Sequence, residues 1–234
     1  LENLTSRHAE SPEPTVVDIN VTIQKGTAVG FVGPTGAGKT TVVDLILGLL
    51  EPTAGRITVD GEDIRQNLRG WQQNLGYIPQ TIYLLDDTIR HNVALGIPDK
   101  DLDEKNLHSA IHAARLDDMI ARLPDGLDTA VGERGIRLSG GQRQRIGIAR
   151  AIYRDPDILV MDEATSNVDP NTERAIVEAI TTLKGNRTLI MVAHRLSSVK
   201  NCDCLFFMNA GKIEQAGTYE ELRASHPEFR RMTQ

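Results

Sequence analysis

The chain has 234 residues, 40% of them hydrophobic and 25% charged, which is an ordinary globular balance with room for one large domain or two small ones. This composition excludes a mostly disordered protein. The net charge of −6 argues against a protein that grips nucleic acid through a basic surface. Two cysteines, Cys202 and Cys204, are too few for a disulfide framework, so we expect a reducing, intracellular compartment.

Membrane segments are not evident in this sequence. The longest apolar runs are far shorter than a membrane-spanning helix, and no signal peptide is apparent. Because the sequence begins with Leu1 and not with methionine, we expect it to be a piece of a longer protein. Any membrane attachment would then lie outside it.

The first part of the chain reads as strands separated by turns. A glycine-rich turn precedes a helix that is predicted from Lys39 to about Leu50, and Asp60-Gly61 predicts a hairpin turn. Apolar alternation or short buried runs predict strands at 17–23, 27–32, 56–59 and 76–79.

The middle of the chain is helical, and strands return after it. Two helices with a bend are predicted between 88 and 122, and a third at 142–153. Thr218 and Glu221 have the spacing of a capping box for a last helix. Strands are predicted at 158–161, 188–192 and 204–208, with a helix at 172–184. Strands that alternate with helices predict an α/β fold with a mostly parallel sheet, interrupted by an all-helical insert.

The strongest motif is a phosphate-binding loop between a predicted strand and a predicted helix. Its glycines let backbone N–H groups turn inward, and the start of the helix adds the positive end of its dipole. Lys39 is expected to reach the β- and γ-phosphates, and the Thr40 hydroxyl to bind Mg²⁺. The alternative is a plain glycine-rich turn. The motif consists of Gly33, Pro34, Thr35, Gly36, Ala37, Gly38, Lys39 and Thr40.

Two carboxylates end the apolar strand at 158–161. Asp162 is placed to hold the Mg²⁺ shell, and Glu163 is a candidate base for a water molecule near the γ-phosphate. The alternative is an acidic cap on a strand, and the phosphate loop elsewhere in the chain makes that less attractive.

A second helix start also has the features of an anion site. Ser139 can cap the helix, and the glycines that follow it expose backbone N–H groups. A head-to-tail pair of copies that share each nucleotide would use both helix starts. The segment is Leu138, Ser139, Gly140, Gly141 and Gln142.

In this order, and with Gln80 after a strand and His194 late in the chain, these motifs resemble the nucleotide-binding domain of an ATP-binding cassette (ABC) transporter. The resemblance covers essentially the whole chain. It implies a P-loop NTPase core with a mostly parallel sheet, flanking helices and an N-terminal antiparallel β part. The core would comprise residues 1–80 and 156–234, and an inserted helical subdomain with the LSGGQ motif would comprise 81–155.

The resemblance also implies roles for single residues. Gln80 would contact Mg²⁺ or the water and signal to the membrane domain, while Thr41 would bind the α-phosphate. His194 would hydrogen-bond the γ-phosphate and help to position Glu163. Ser139 and Gly141 of an opposing copy would contact the γ-phosphate. Exporters usually carry an adenine-stacking aromatic residue about thirty positions before the lysine, and here His8 stands in that register.

Residues 87–94 and 129–135 resemble the exporter branch, in which the second segment faces the membrane part. The resemblance therefore implies an ATPase domain that dimerises with a second copy around MgATP and drives export or flipping of a substrate, with lipids or lipid-linked sugars as one option. Its transmembrane domain would be fused or separate, and the chain would lie at the cytoplasmic face of the inner membrane. No nucleic acid partner is expected. The alternatives are a soluble ABC ATPase of DNA repair or translation and a nucleotide-sensing binding module.

Overall fold

The computed structural model describes residues 1–7, 13–136, 138–162, 176–178, 180–181, 183–193 and 195–233. The strands are β1 (Glu2–Ser6), β2 (Val16–Ile19), β3 (Ala28–Val32), β4 (Ala54–Arg56), β5 (Thr58–Val59), β6 (Glu62–Asp63), β7 (Leu75–Ile78), β8 (Ile158–Asp162), β9 (Thr188–Val192), β10 (Cys204–Asn209) and β11 (Lys212–Gly217). The helices are α1 (Lys39–Ile46), α2 (Leu68–Gln73), α3 (Ile89–Val93), α4 (Glu104–Ala113), α5 (Asp117–Ile120), α6 (Gly140–Ile152), α7 (Tyr219–Ser225) and α8 (Pro227–Met232). Residues 176–178 and 180–181 are also helical.

The central sheet has six strands in the order β11-β10-β3-β9-β8-β7. All neighbouring pairs from β10 to β7 are parallel, and β11 pairs with β10 in the antiparallel sense at one edge. A second, antiparallel sheet of three strands has the order β2-β1-β4. The predicted α/β fold with a mostly parallel sheet and an antiparallel β part is confirmed.

Each face of the central sheet is covered by its own apolar cluster. On one face, α1 and the antiparallel sheet pack on β3 through residues such as Leu4, Val43 and Phe31, all fully buried. On the other face, the sheet packs against α6, α7 and α8 through residues such as Phe207, Ile146 and Phe229. Successive side chains of each parallel strand point to opposite faces of the sheet and enter both clusters, so the strands are apolar throughout.

The helical segment is anchored to the sheet through α6, which packs against β7, α3 and α4. Tyr153, at the end of α6, accepts a hydrogen bond of 2.9 Å from the backbone N–H of Asp103, where α4 begins. Apolar residues of α4 and α6 belong to the same buried cluster as the sheet residues. Within the described part of the chain, no helix is both long and apolar enough to cross a bilayer.

The single strand expected at 56–59 is interrupted at Ile57, between β4 and β5, and the two helices expected between 88 and 122 are three, α3, α4 and α5. Two further predicted boundaries are wrong, each for a local reason. The strand expected at 17–23 ends at Ile19, where its ladder with β1 ends. The helix expected to reach Leu50 ends at Ile46, because Gly48 adopts a φ of 67° and the N–H groups of Leu49 and Leu50 both turn back to the carbonyl of Asp44. The hairpin at Asp60-Gly61 and the capping box of Thr218 and Glu221 are confirmed.

Candidate functional site: a phosphate loop at the carboxyl edge of the sheet

The loop from Gly33 to Thr40 leads from the end of β3 into α1. At Gly33, φ is 145°, and a Cβ would lie 2.0 Å from the carbonyl oxygen of Met208, so no other residue fits there. Gly38, with a φ of 93°, precedes α1 and has no side chain that could cap it, and no other side chain in the described part of the chain caps the helix. The first N–H groups of an uncapped helix need an external acceptor, and an anion at this position would supply one.

Lys39 crosses the inside of this loop and is only 5% exposed. Its Nζ donates hydrogen bonds of 2.9 Å to the carbonyl oxygens of Gly33 and Pro34. These two carbonyl groups hold the ammonium within the turn that it would share with a phosphate. Ala37, Gly38 and Thr41 are buried, whereas Thr35, Gly36 and Thr40 are exposed.

Asp162 is the last residue of β8, between β9 and β7, and its side chain is 7% exposed. The nearby Tyr77 on β7 has its pKa raised to about 12, first by burial and then by the negative charges of Asp162 and Asp44. The Tyr77 hydroxyl therefore stays protonated beside these carboxylates. Sequence analysis missed Tyr77, whose only signal was its position two residues after Leu75 in the same short apolar strand.

The parallel sheet collects the predicted residues at one edge. The phosphate loop follows β3, Asp162 ends β8, and Gln80 follows β7 by two residues. Because these strands run in the same direction, their carboxyl ends meet at the same edge of the sheet, where open α/β folds bind ligands. Helix α1 packs across β8 and β9, which carries the start of α1 over the same edge. Glu163, His194 and His8 lie outside the described residues.

The second predicted helix start is built differently. Ser139 caps α6, with its Oγ accepting the N–H of Gln142 at 3.2 Å, and the Gln142 side chain accepts the N–H of Ser139 at 2.8 Å. The prediction that Ser139 caps this helix is confirmed. The hydroxyl hydrogen of Ser139, the amide hydrogens of Gln142 and the N–H groups of Gly140 and Gly141 remain as donors for a further acceptor.

The donors at the sheet edge fit a hard divalent cation. Asp162 offers carboxylate oxygens, Thr40 a hydroxyl oxygen and Gln80 an amide oxygen, which is the all-oxygen set that Mg²⁺ prefers. Among the described residues, histidine, cysteine, aspartate and glutamate form no group of three that would hold a metal by themselves. A Mg²⁺ site built from these residues would therefore need oxygens from a bound nucleotide as well.

Comparison with known proteins agrees with this geometry. The family model described as ABC transporter matches residues 16–166. The ATP-dependent lipid A-core flippase of Ralstonia nicotianae is 41% identical over 223 residues, which is 94% of this chain and 38% of the flippase. The ABC transporter ATM1 of Toxoplasma gondii is 39% identical over 206 residues, 88% of this chain and 18% of that protein.

A solved structure, a bacterial Atm1-family ABC exporter with ATP bound, is similar to this chain with a TM-score of 0.90 at 34% identity. The match covers 99% of this chain and 41% of the exporter chain. The chain thus spans well under half the length of these relatives. Together with the phosphate loop and the parallel sheet edge, these matches establish that the chain belongs to the ABC transporter family, and it is similar to the ATPase domain of these exporters.

Proposed function

We propose that the carboxyl edge of the central sheet binds MgATP and that the bound nucleotide drives a transport cycle. The observation that carries this proposal is the convergence of an uncapped helix start, a buried lysine and a buried aspartate at one edge of the sheet. The N–H groups at the start of α1 and the Lys39 ammonium would bind the β- and γ-phosphates, and Thr41 the α-phosphate. Thr40, Asp162 and Gln80 would hold Mg²⁺, which supplies charge neutralisation between the phosphates when bound.

Hydrolysis requires a water molecule aligned with the γ-phosphate and a place for the developing charge. Glu163, which follows the buried Asp162 in the chain, would accept a proton from this water as it attacks phosphorus. The bond between the γ-phosphorus and the bridging oxygen then breaks, leaving ADP and inorganic phosphate. Lys39 and His194 would stabilise the charge on the phosphoryl oxygens, and Gln80 would help to orient the water.

A second copy of the domain would complete the site. The capping box of α6 uses the Ser139 oxygen and the Gln142 carbonyl but leaves their hydrogens as donors. Those donors and the N–H groups of Gly140 and Gly141 suit a γ-phosphate presented by an opposing copy. Two domains arranged head to tail would therefore each supply α1 to one nucleotide and α6 to the other.

The remainder of the transporter would dock on the helical segment, residues 81–155, which we treat as an arm inserted into the ATP-binding core. Tyr83, Leu85 and Ile136 are exposed by 61%, 45% and 81%, and their segments touch through Leu84 and Gly135. An exposed apolar patch of this kind suits the end of a membrane-embedded partner. The relatives named as lipid A-core flippases suggest a lipid as the transported substrate, with this domain at the cytoplasmic side of the membrane, where ATP is available.

The test is the mass of the Glu163→Gln variant by light scattering, with and without MgATP, beside phosphate release by the parent chain. Loss of the base should trap the nucleotide, so a dimer should appear in the variant only when MgATP is added, and its turnover should fall at least about 100-fold. A parent chain that releases no phosphate, with a variant that stays monomeric in MgATP, would contradict the shared-site proposal. Adding Ser139→Ala to Glu163→Gln is the matched control and should weaken the dimer.

A further inference from the structure

Arg150 lies in the last turn of α6 and has no part in the nucleotide chemistry described above. It is partly buried, and its desolvation lowers the pKa of the guanidinium. In the described part of the chain, its hydrogen bonds all go to uncharged oxygens. Withdrawing a cation from water without a carboxylate partner costs stability. We therefore attribute to Arg150 a role in positioning the segments that it contacts and not a role in stabilising the fold.

The guanidinium joins α6 to two points of the segment that follows Gln80. Nη1 donates to the carbonyl of Tyr83 at 2.9 Å, and Nε donates to the carbonyl of Asn92 at 2.8 Å. Nη2 reaches the side-chain oxygen of Asn92 at 3.3 Å. One planar fork therefore spans the loop after Gln80 and helix α3, a geometry that a lysine ammonium cannot reproduce.

Asn92 carries the same connection into the loop. Its side chain is fully buried, accepts the N–H of Leu85 at 2.9 Å and donates to the carbonyls of Leu85 and Thr88 at 3.0 and 2.9 Å. The loop is thereby closed onto α3 by a satisfied buried amide, the arrangement that fixes a single conformation most firmly.

Apolar contacts hold the same loop against α6. A Cβ at Gly147 would lie 2.3 Å from Cδ1 of Ile82, so Ile82 sits directly on the helix backbone where only glycine leaves room. Leu84, buried to 1% exposure, lies against Gly135 in the turn that leads into Ser139. Helix α6, about 20 Å long, thus carries the loop along its side and the LSGGQ donors at its start.

We propose that Arg150 and Asn92 form a clamp that makes the loop after Gln80 and helix α6 move as one body. This inference rests on the proposed function. Displacement of the exposed Tyr83 and Leu85 by a docked partner, or of Gln80 by a bound nucleotide, would then reorient the start of α6 towards the opposing copy. Arg150 is accordingly a positioning residue: it touches no nucleotide, and it acts through Gln80 at one end and through Ser139 at the other.

The test compares Arg150→Lys with the control variant Arg187→Lys. Arg187 directly precedes β9, and its guanidinium donates hydrogen bonds to the Asp155 carboxylate and the Pro156 carbonyl, so it also joins two segments. Hydrogen exchange of residues 81–93 should accelerate about tenfold in Arg150→Lys and stay at the parent rate in Arg187→Lys. In turnover, kcat of Arg150→Lys should fall about tenfold while KM for ATP stays within about twofold. Arg187→Lys should lower only the melting temperature, which separates a loss of stability from a loss of positioning.

A second variant perturbs the apolar contact that holds the same loop against α6. Gly147→Ala should push Ile82 away from α6 and reproduce the exchange and kcat effects with Arg150 intact. Unchanged exchange at residues 81–93 in both Arg150→Lys and Gly147→Ala would overturn the proposal, even if the parent hydrolyses ATP normally. If the parent shows no hydrolysis, the proposed function fails, and the exchange measurement still decides whether the clamp holds the loop.

Discussion

Two helices of this chain begin with glycine-rich turns, yet their starts are built in opposite ways. Helix α1 follows Gly38 with no side-chain cap and places the buried Lys39 inside the turn. Helix α6 follows Ser139, and a reciprocal capping box satisfies the N–H groups of Ser139 and Gln142. The α1 start has no cap before an anion binds, whereas the α6 start is capped without an anion and keeps the N–H groups of Gly140 and Gly141 as remaining donors.

This difference indicates that the two helix starts have different roles in nucleotide binding. An uncapped start costs stability until a ligand accepts its N–H groups, so α1 is suited to hold a nucleotide in a single copy of the domain. A capped start is stable without a ligand and offers only its remaining donors. Helix α6 is therefore suited to contact a nucleotide that is already bound to α1 of a second copy. Substitutions at the two starts should therefore change different measured quantities, and three of the predictions below test this; a fourth concerns a charge contact in α3.

The largest effect is expected for Gly33→Ala, which alters the beginning of the loop that leads into α1. The new Cβ would lie 2.0 Å from the Met208 carbonyl oxygen, so the loop or β10 must shift, which should cost about 3 kcal/mol of unfolding free energy. Gly36→Ala is the control, because a Cβ there meets none of the described residues within 4 Å. It should cost about 1 kcal/mol through its φ of 81° and mainly weaken ATP binding. Urea unfolding and ATP titration of both variants distinguish the two effects, and equal losses of stability would contradict this account.

The next largest effect is expected for Lys39→Met, which keeps an unbranched side chain one atom shorter than lysine and removes its charge. Loss of a buried, charged hydrogen-bond donor should weaken ATP binding about 100-fold. Isothermal titration of the monomer measures this change. Lys25→Met, at an exposed lysine beside Asp157, is the control and should bind ATP like the parent. Parent-like affinity in Lys39→Met would mean that the α1 start does not hold the phosphates.

Ser139→Ala should have a smaller effect, and on the other helix start. Loss of the cap should cost about 1 kcal/mol and lower the melting temperature by about 2 to 4 °C. ATP affinity of the isolated monomer should be unchanged, because α1 is untouched. Ser139→Asp retains a capping acceptor and should restore the melting temperature without restoring a hydroxyl donor. A large loss of monomer affinity in Ser139→Ala would break the proposed division between α1 and α6.

The smallest effect concerns a histidine beside the Arg150 clamp. His91 has Asp87 at 2.8 Å from Nδ1 and Asp99 at 2.8 Å from Nε2, and these carboxylates, Asp87 first, raise its pKa. The hydrogen bond from His91 in turn lowers the pKa of Asp87. A raised histidine pKa means that its stabilising contribution is complete below about pH 6.5 and disappears as the pH rises through the higher value of the folded state.

His91→Gln removes this titration while keeping a polar side chain at the same position. The difference in melting temperature between parent and variant should therefore be larger near pH 6 than near pH 8, by about 1 to 3 °C. His108→Gln is the control, because His108 lies 3.9 Å from Glu104 on the exposed side of α4. A pH-independent difference between parent and His91→Gln would exclude the proposed charge contact.

Motifs with short-range requirements were predictable from the sequence. The phosphate loop, the Ser139 cap and the capping box of Thr218 and Glu221 depend on residues a few positions apart, so their local geometry follows from residue type. Helix α1 was expected to end near Leu50, and the position of Gly48 alone did not reveal that the chain turns back there to the Asp44 carbonyl.

Contacts between residues that are far apart in the chain were not predictable in the same way. That Asp162, Gln80 and the phosphate loop share one edge follows from the order of β3, β9, β8 and β7, which the sequence does not encode in any single motif. Tyr77 was missed because its neighbours Asp44 and Asp162 lie on other elements. The Arg150 clamp was missed because its partners Tyr83 and Asn92 are 67 and 58 residues away along the chain.

The sequence by itself therefore determined the class of fold, the phosphate loop, the capped start of α6 and the resemblance to ABC ATPases, because glycine, capping and apolar patterns act over a few residues. Only the tertiary structure decided which side chains face one another across elements. It left α1 open beside a buried lysine, and it locked the loop after Gln80 onto α6 through one arginine. Those contacts depend on how the sheet and the helical segment pack, and packing is a property of the whole chain.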